Sequence, residues 1–255
     1  LAFMDIQEVV KKNREALNSV DCFISDLDYK NSPDNYGLPS HVRHLIDLPI
    51  NKDLTYVDIL MFLKQHLKTQ KPKYVEIGVS VLKTFYQVAN FLEDCELYAF
   101  DINEINPTVA EKFTPTEQRS QVNKYNYNNN KITHFKGDVF KKEDFDSFKK
   151  EVGTSVNIIF SDAHHTGEGL KAEYDSYIEE GLSDDFILYY DDLHNPPMQQ
   201  VFLEICQKHK QKNPSITSAL LQANGWLGQH ESLHVNGIIT SINMRKVFPF
   251  INYIP

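Results

Sequence analysis

Apolar residues recur along the chain in short runs that alternate with longer stretches of helical spacing. Short apolar runs bounded by polar or glycine-containing turns are typical of buried strands, whereas apolar positions three or four residues apart are typical of amphipathic helices. From residue 73 onward the two patterns alternate regularly. Strands are predicted at residues 73–79, 96–101, 131–136, 156–160 and 186–190, and helices at 81–92, 141–151, 169–180 and 196–210.

Near its end the chain departs from this alternation. Residues 216–221 and 235–241 form two more apolar runs with no helical pattern between them, so they are predicted to pair as an antiparallel hairpin. The polar residues 103–130 are interpreted as a helix followed by a surface loop, because their asparagine-rich end has low complexity. The predicted fold is therefore α/β, a Rossmann-like, seven-stranded, mostly parallel sheet with an antiparallel C-terminal hairpin and helices on both faces.

The segment before the first predicted strand has a different character. Residues 1–70 are predicted to form an N-terminal helical extension or lid, and residues 71–255 the main domain. Apolar spacing predicts amphipathic helices at residues 4–20 and 54–67. One α/β domain with a helical extension is the predicted organisation.

Two stretches are candidate substrate lids. Proline and glycine interrupt residues 21–51, and loops of this length in compact proteins are often lids or binding segments. His41, Arg43 and His44 in this stretch either contact substrate or are solvated or structural side chains. The loop around Trp226, between the two hairpin strands, is the second candidate.

Composition and charge restrict the class of partner. A formal net charge of -9 does not favour nucleic acid, because phosphate binding relies on basic patches. No apolar run approaches the roughly 18 to 20 residues of a membrane span, and residues 1–8 lack the features of a signal peptide. Three widely separated cysteines argue against a disulfide framework and a zinc site, which favours a reducing, cytoplasmic setting. A small-molecule partner is expected, and the chain could form a homo-oligomer.

Acidic residues directly follow two of the predicted buried strands. Asp162 comes after the run 156–160, and Asp191 and Asp192 come after the run 186–190. If these strands are neighbours, the three carboxylates converge at the carboxyl ends of parallel strands, where ligands bind in open α/β sheets. Such a cluster needs a cation or shifted pKa values, and an all-oxygen shell is of the kind that magnesium or calcium takes.

The first two strands have the layout of a nucleotide-binding unit. Gly78 ends the first strand, a helix follows, and Asp101 ends the second strand, where an acid can accept hydrogen bonds from ribose hydroxyls. The turn at residues 78–83 contains one glycine, and a dinucleotide fingerprint would need three. A cofactor with ribose but without a pyrophosphate therefore fits better.

Five short stretches together resemble the motifs of the class I S-adenosylmethionine-dependent methyltransferases, and among them the metal-dependent O-methyltransferases of the catechol and macrocin type. They are Val75–Val79, Phe100–Asn103, Lys136–Val139, Asp162–Gly169 and Tyr190–Asp192. The resemblance extends over roughly residues 73 to 241. It implies S-adenosylmethionine as the cofactor and a small hydroxylated acceptor, such as a catechol, a sugar diol or a natural-product-like molecule.

The resemblance also implies a role for each motif residue. The first motif would lie beside the methionine part of the cofactor, the second would bind the ribose and the third would approach the adenine. The implied cofactor contacts are Glu76, Gly78, Ser80, Asp101, Asp138 and Asp162. The implied ligands of Mg²⁺, or of another divalent cation, are Asp162, Asp191 and Asp192. The implied catalytic residues are His165, as the general base, and Asp162.

The first motif departs from the family pattern at two positions. Leu82 stands where the family usually has a second glycine, and Thr84 where it commonly has serine. Two other functions therefore stay open. One is a metal-independent small-molecule methyltransferase, and the other is a catalytically inactive S-adenosylmethionine-binding protein that acts as a regulator or partner.

Each candidate residue of the acidic cluster also has a structural alternative. Asp162, Asp191 and Asp192 could cap helices, since aspartate is a common N-cap residue. Instead of acting as a general base, His165 could be the structural partner of an acid. Two further histidines are interpreted as structural: His164 and His194.

Overall fold

The structure, a computed structural model, describes residues 2–19, 54–225 and 233–255. Its strands are β1 Tyr74–Ile77, β2 Glu96–Asp101, β3 Thr114–Gln118, β4 Val122–Tyr127, β5 Asn130–Lys136, β6 Val156–Ser161, β7 Leu182–Tyr190, β8 Thr217–Asn224 and β9 Leu233–Thr240. Over the described residues they form one nine-stranded sheet in the order β3-β4-β5-β2-β1-β6-β7-β9-β8. The central strands β5, β2, β1, β6 and β7 are parallel, and the strands outside them are antiparallel to their neighbours.

The helices lie before, between and after these strands. They are α1 Ile6–Asn18, α2 Tyr56–Lys64, α3 Lys83–Phe91, α4 Pro107–Ala110, α5 Lys142–Val152, α6 Gly167–Glu173, a π-helical segment Tyr174–Ile178, α7 Glu179–Gly181, α8 Pro196–Lys212 and α9 Met244–Val247. The predicted Rossmann-like α/β fold with its antiparallel C-terminal hairpin is confirmed.

The predicted strand number was wrong, because residues 103–130 are not a helix followed by a loop. They contain only the short helix α4 and then the hairpin strands β3 and β4, which extend the sheet beyond β5. Asn128 and Asn129 connect β4 to β5 with φ angles of 50° and 60°, the left-handed conformation that a two-residue hairpin turn requires. Asparagine tolerates this conformation better than most residues, so the low-complexity segment is a turn signal.

Two apolar clusters cover the two faces of the sheet. Val75 and Ile77 of β1 belong to one cluster, and Tyr74 belongs to the other. All four residues of β1 are buried, as expected for a central parallel strand covered on both faces. With both faces covered, the strand ends are the part of the sheet where functional groups can meet.

The N-terminal helices pack onto one face of the sheet. Val9 and Leu17 of α1 and Leu60 of α2 lie in the cluster that also contains Tyr74. Arg14 of α1 forms a buried ion pair with Asp58 of α2, with 2.7 Å between the guanidinium and the carboxylate. Apolar packing thus fixes the two helices to the sheet, and the buried charge pair joins them to each other. The domain boundary after residue 70 stays a prediction.

Both predicted lids fall outside the described residues. His41, Arg43 and His44 lie in the first gap and Trp226 in the second, so their roles stay predictions. None of the helices in residues 2–19, 54–225 and 233–255 combines the length and the apolar character needed to cross a membrane.

Candidate active site

The carboxyl ends of β1, β6 and β7 bring the predicted site residues into one row. Ser161 is paired with Ile77 on one side and with Tyr190 on the other, so the residues that follow these strands are neighbours. The backbone N–H of Asp162 donates to the carbonyl of Ile77 at 2.8 Å, and the N–H of Asp191 donates to the carbonyl of Ser161 at 3.1 Å. The predicted convergence of the acidic residues is confirmed.

Asp191 is the buried member of the cluster. Its side chain is 1% exposed and accepts hydrogen bonds from His234 Nδ1 at 2.9 Å and from Asn236 Nδ2 at 2.7 Å, both residues of β9. The backbone N–H of Asp192 donates to the same Oδ1 atom at 2.8 Å. Tyr189 supports this arrangement, because its hydroxyl donates to Asn236 Oδ1 at 2.7 Å.

Asp192 lies between two histidines. Its Oδ2 is 3.3 Å from His165 Nε2, and its Oδ1 is 3.2 Å from His234 Nδ1. Successive side chains of a strand alternate between the two faces, yet Asp191 and Asp192 both contact His234. The left-handed backbone of Asp192, with φ of 55°, interrupts the alternation after β7 and brings the two aspartates to the same side.

Asp162 and His165 complete the open part of the cluster. His165 Nε2 is 3.2 Å from Asp162 Oδ1, so this nitrogen lies between carboxylates from β6 and β7. The side chains of Asp162 and Asp192 are each 26% exposed, and that of His165 is 44% exposed. Solvent and ligands therefore reach this triad, whereas Asp191 lies beneath it.

The electrostatics of the cluster follow from burial and from the crowding of like charges. Burial raises the pKa of Asp162, and the nearby Asp191 and Asp192 raise it further. Burial also raises the pKa of Asp191, although its hydrogen bond to His234 acts in the opposite direction. Burial opposes ionisation of Asp192, but the hydrogen bond and charge of His234 outweigh it and lower the pKa. The cluster is a group of like charges held together by imidazole rings.

His234 is the principal cation of the site. Burial disfavours its charged form, yet the hydrogen bonds to Asp191 and Asp192 raise its pKa to about 10. Its ring packs against Tyr56 of α2, with 5.4 Å between ring centroids. Tyr56 in turn packs against Phe160 of β6 at 5.5 Å, which gives the site an aromatic wall.

Sequence reasoning did not identify His234 and Asn236. Both belong to β9, which pairs with β7 and so brings them beside Asp191. No spacing within the sequence reveals this pairing. One available signal was Asn236 itself, a polar residue inside an apolar run and now a fully buried donor to Asp191. The predicted strand began one residue after His234 and therefore missed it.

The helix-capping alternatives are excluded by the actual caps. Thr166 caps α6 and Asn195 caps α8, so none of the three aspartates has that role. The structural alternative suits His164, whose Nδ1 is 2.9 Å from Thr166 Oγ1. His194 contacts the backbone, with Nδ1 2.7 Å from the carbonyl oxygen of Asp192.

Gly78 joins the predicted cofactor turn to the acidic cluster. It has φ of 85°, and a Cβ atom at this position would lie 2.4 Å from the carbonyl oxygen of Asp162 and 2.5 Å from Ala163 Cα. Its own N–H donates to the carbonyl of Phe100 at 2.7 Å. Glycine is therefore required here by close backbone packing as well as by conformation.

Asp101 holds the same turn closed. Its Oδ2 accepts the backbone N–H groups of Val79 at 2.9 Å and Ser80 at 3.0 Å, and its Oδ1 accepts that of Asn103 at 2.9 Å. Leu82 adopts φ of 67° and its side chain is fully buried in the apolar core beside α3. The leucine thus packs into the core, and the acid predicted to bind ribose stabilises the turn.

Glu76 and Asp138 are fully or partly buried and already accept hydrogen bonds. Glu76 is 1% exposed and accepts a hydrogen bond from the Tyr74 hydroxyl at 2.6 Å, and burial raises its pKa to about 8. Asp138 is half-buried and accepts the backbone N–H of Phe140 at 2.9 Å. The predicted contacts of Glu76, Ser80, Asp101 and Asp138 with a cofactor therefore stay predictions.

Two groups of donor atoms have spacings suited to a metal ion. Within each group the ligand atoms lie within 4.8 Å of one another, and Asp192 belongs to both. The first consists of Asp162, His165 and Asp192, and the second of Asp191, Asp192 and His234. Each group includes a histidine, so neither contains all three of the predicted aspartate ligands.

No family model and no curated protein matches this sequence. Among solved structures, the O-methyltransferase TomG from Streptomyces achromogenes, in complex with SAM, is similar with 11% identity and a TM-score of 0.47, covering 94% of this chain and 92% of that one. An O-methyltransferase from Bacillus cereus, in complex with SAH, has 14% identity and a TM-score of 0.47, covering 92% and 89%.

The methyltransferase MycE from the mycinamycin biosynthetic pathway, in complex with Mg and SAH, is also similar, with 10% identity and a TM-score of 0.43. The match covers 68% of this chain and 45% of MycE, so this chain spans less than half of that protein's length. With its parallel core and antiparallel end hairpin, this chain has a Rossmann-like fold.

Proposed function

We propose that this protein is an S-adenosylmethionine-dependent O-methyltransferase that uses Mg²⁺ or another divalent cation and acts on a small hydroxylated acceptor. One observation carries the proposal. The turn at Gly78 packs directly against the backbone of Asp162 and Ala163, so the cofactor turn and the acidic cluster form one continuous site. A methyl donor held at the turn would lie beside an acceptor held at the carboxylates.

The cofactor half offers both apolar and polar surface. Ile102, directly after β2, is 61% exposed, and Phe140, after β5, is 49% exposed. Their strands are neighbours and Gly137 donates its N–H to the carbonyl of Asp101 at 2.8 Å, so these side chains flank one edge of the sheet. An exposed apolar pair beside Asp138 suits a flat, polar-edged ring such as adenine.

The cation half supplies carboxylate and imidazole donors. Asp162 and Asp192 provide accessible oxygens from two strands, and Asp191 lies beneath them. When bound, a divalent cation would lower the pKa of an acceptor hydroxyl and orient it. Two neighbouring acceptor oxygens, as in a catechol or a sugar diol, could chelate such an ion.

The chain's own residues would orient the acceptor and keep the site dry. Methyl transfer to oxygen is an in-line displacement that needs the acceptor oxygen about 3 Å from the methyl carbon. Asp162 connects the two halves of the site, and the aromatic wall of Tyr56 and Phe160 excludes water on one side. His165 can serve as the predicted base only while its Nε2 is free, and this nitrogen faces both carboxylates.

The proposal is tested by cofactor binding and by methyl transfer. Calorimetry with S-adenosylhomocysteine should show binding, and a panel of catechols and sugar diols should include a substrate whose methylation stops in EDTA and recovers on adding a divalent cation. Full activity in EDTA would select the metal-independent enzyme. An absence of S-adenosylhomocysteine binding at millimolar concentration would contradict both enzyme functions.

A second candidate is a cofactor-binding protein without catalysis. The observation that favours it is the commitment of Asp101 to backbone N–H groups, which leaves less capacity for ribose hydroxyls. This candidate predicts S-adenosylhomocysteine binding without methylation of any acceptor in the panel. It also predicts that Asp162→Asn changes no measurable property except cation affinity.

A further inference from the structure

We infer that the cation of this site is held by Asp162, His165 and Asp192, and that the imidazole ligand selects a first-row transition cation such as Mn²⁺ over Mg²⁺. This inference deepens the proposed function, since it assigns the ligands and the class of the cation that the function uses. It gives His165 the role of a metal ligand instead of a base. It also makes Asp191 a positioning residue instead of a ligand.

The first argument is the spacing of the donor atoms. His165 Nε2 is 3.2 Å from Asp162 Oδ1 and 3.3 Å from Asp192 Oδ2. Neighbouring donors around a cation with bonds of about 2.0 to 2.2 Å lie about 3 Å apart. Both distances from His165 thus already match the separation of adjacent ligands, and the three donor atoms all lie within 4.8 Å of one another.

The second argument is access. The side chains of this triad are 26%, 44% and 26% exposed in the order Asp162, His165, Asp192. An ion can therefore reach the triad from solvent.

The third argument concerns Asp191, whose oxygens are already engaged. Its Oδ1 accepts hydrogen bonds from His234, Asn236 and the backbone of Asp192, and its Oδ2 accepts from His234. Its side chain is 1% exposed. Binding an ion to this carboxylate would break a buried network whose donors would lose their partner, which is costly. The structure instead uses Asp191 to hold His234, which in turn contacts Asp192.

The donor set decides the class of cation. Mg²⁺ and Ca²⁺ strongly prefer oxygen ligands, whereas imidazole suits the later first-row ions. Two carboxylates and one imidazole are acceptable to Mn²⁺, Fe²⁺, Co²⁺ and Zn²⁺. The two carboxylate charges match the charge of a divalent ion, and removing the repulsion between Asp162 and Asp192 favours binding further.

The experiment uses the full chain, freed of metal with a chelator and then titrated with Mn²⁺ or Mg²⁺. We expect Mn²⁺ to bind at least about tenfold tighter than Mg²⁺. Pulsed EPR of the Mn²⁺ complex should show coupling to a ¹⁴N nucleus. In His165→Gln the nitrogen coupling should disappear and the preference for Mn²⁺ should fall about tenfold.

Matched variants assign the ligand. His164→Gln removes the neighbouring imidazole, which is bonded to Thr166, and should leave both the nitrogen coupling and the ion preference unchanged. His234→Gln should also retain the nitrogen coupling, because its Nδ1 is bonded to Asp191 and Asp192. Asp191→Asn should weaken Mn²⁺ binding less than Asp162→Asn does.

Three results would overturn the inference: absence of cation binding, equal affinity for Mg²⁺ and Mn²⁺ without nitrogen coupling, or coupling that is lost in His234→Gln but kept in His165→Gln. Calorimetry with S-adenosylhomocysteine on the same samples separates this failure from that of the proposed function. Cofactor binding and methylation, with a bound cation that shows no nitrogen coupling, would contradict only the inference. Nitrogen-coupled Mn²⁺ without cofactor binding would contradict only the function.

Discussion

The two halves of the site use their acidic residues in opposite ways. In the cofactor half, the Asp101 carboxylate accepts backbone N–H groups of the turn, and Asp138 accepts the N–H of Phe140. In the other half, Asp162 and Asp192 lie around the same imidazole, and the charge of Asp192 helps to raise the pKa of Asp162. Carboxylates that are satisfied by backbone donors stabilise the fold, whereas carboxylates that repel one another leave a site for a cation.

The largest expected effect tests the cation half alone. Asp162→Asn removes an accessible charge next to the turn, and methyl transfer should fall on the order of 1000-fold, because ion and acceptor lose a shared anchor. Affinity for S-adenosylhomocysteine should stay within about twofold, as the cofactor turn is bonded to Asp101 instead. Kinetics and calorimetry check this, with the half-exposed Asp146→Asn on α5 as the control. Equal losses of cofactor affinity and activity would show that the two halves are not separate.

Gly78, where the two halves meet, should not tolerate any side chain. Gly78→Ala places a Cβ atom 2.4 Å from the Asp162 carbonyl oxygen at φ of 85°, so clash and strain add. We expect the free energy of unfolding to fall by roughly 3 kcal/mol, measured by urea denaturation.

Gly153→Ala is the matched control for the junction. Its φ is 74°, but the nearest atom to an added Cβ is the flexible Lys73 Nζ at 3.7 Å. It carries the conformational cost without the clash, and should lose less, roughly 1 to 2 kcal/mol. Equal losses at the two glycines would mean that close packing at Gly78 is unimportant.

A buried acid beneath the cation half should make stability depend on pH. Glu173 is fully buried and accepts a hydrogen bond from Ser161 at 2.5 Å, and burial raises its pKa to about 8. Its folded pKa is above its unfolded value, so unfolding releases a proton between about pH 4.5 and 8. Stability should therefore decrease as pH rises through this window.

Glu173→Gln removes the ionisable group while keeping the shape of the side chain. The decrease in unfolding free energy between pH 5 and 7.5 should become smaller by about 2 kcal/mol. Urea denaturation at the two pH values checks this, with the exposed Glu111→Gln as the control. An unchanged pH dependence in Glu173→Gln would show that this carboxyl ionises without a cost in the folded protein.

The smallest expected effect tests the cofactor half. Asp101→Asn weakens the two bonds to the turn N–H groups, because a neutral oxygen replaces a carboxylate. We expect a loss of about 1 kcal/mol in stability and a measurable loss of S-adenosylhomocysteine affinity. Cation affinity should not change. A loss of Mn²⁺ affinity in this variant would contradict the division between the halves.

Local patterns in the sequence identified most of the elements and the acids of the site. Apolar runs predicted the parallel strands, and β2 lies at residues 96–101, the predicted range. The convergence of Asp162 with Asp191 was predicted on condition that their strands are neighbours, and β6 and β7 do pair in parallel. The strands could be predicted because the spacing of apolar residues is visible in consecutive positions of the chain.

The hairpin β3–β4 was missed because its signal is a weak local one. The burial pattern of β3 shows no buried residue, and polar edge strands look like loops in a sequence. The left-handed Asn128-Asn129 turn was read as low complexity, since the same residues serve flexible loops. Pairing with β5 is what orders this segment, and pairing is a property of the folded chain.

The sequence by itself determined the order of strands and helices, the glycine at the turn and the three aspartates at two strand ends. The tertiary structure alone decided how these groups are used. It brought His234 and Asn236 from β9 to Asp191, buried that carboxylate, and left Asp162, His165 and Asp192 open to solvent. The physical reason is that burial and hydrogen-bond partners come from residues distant in the chain, and they decide whether a carboxylate supports the fold or binds an ion.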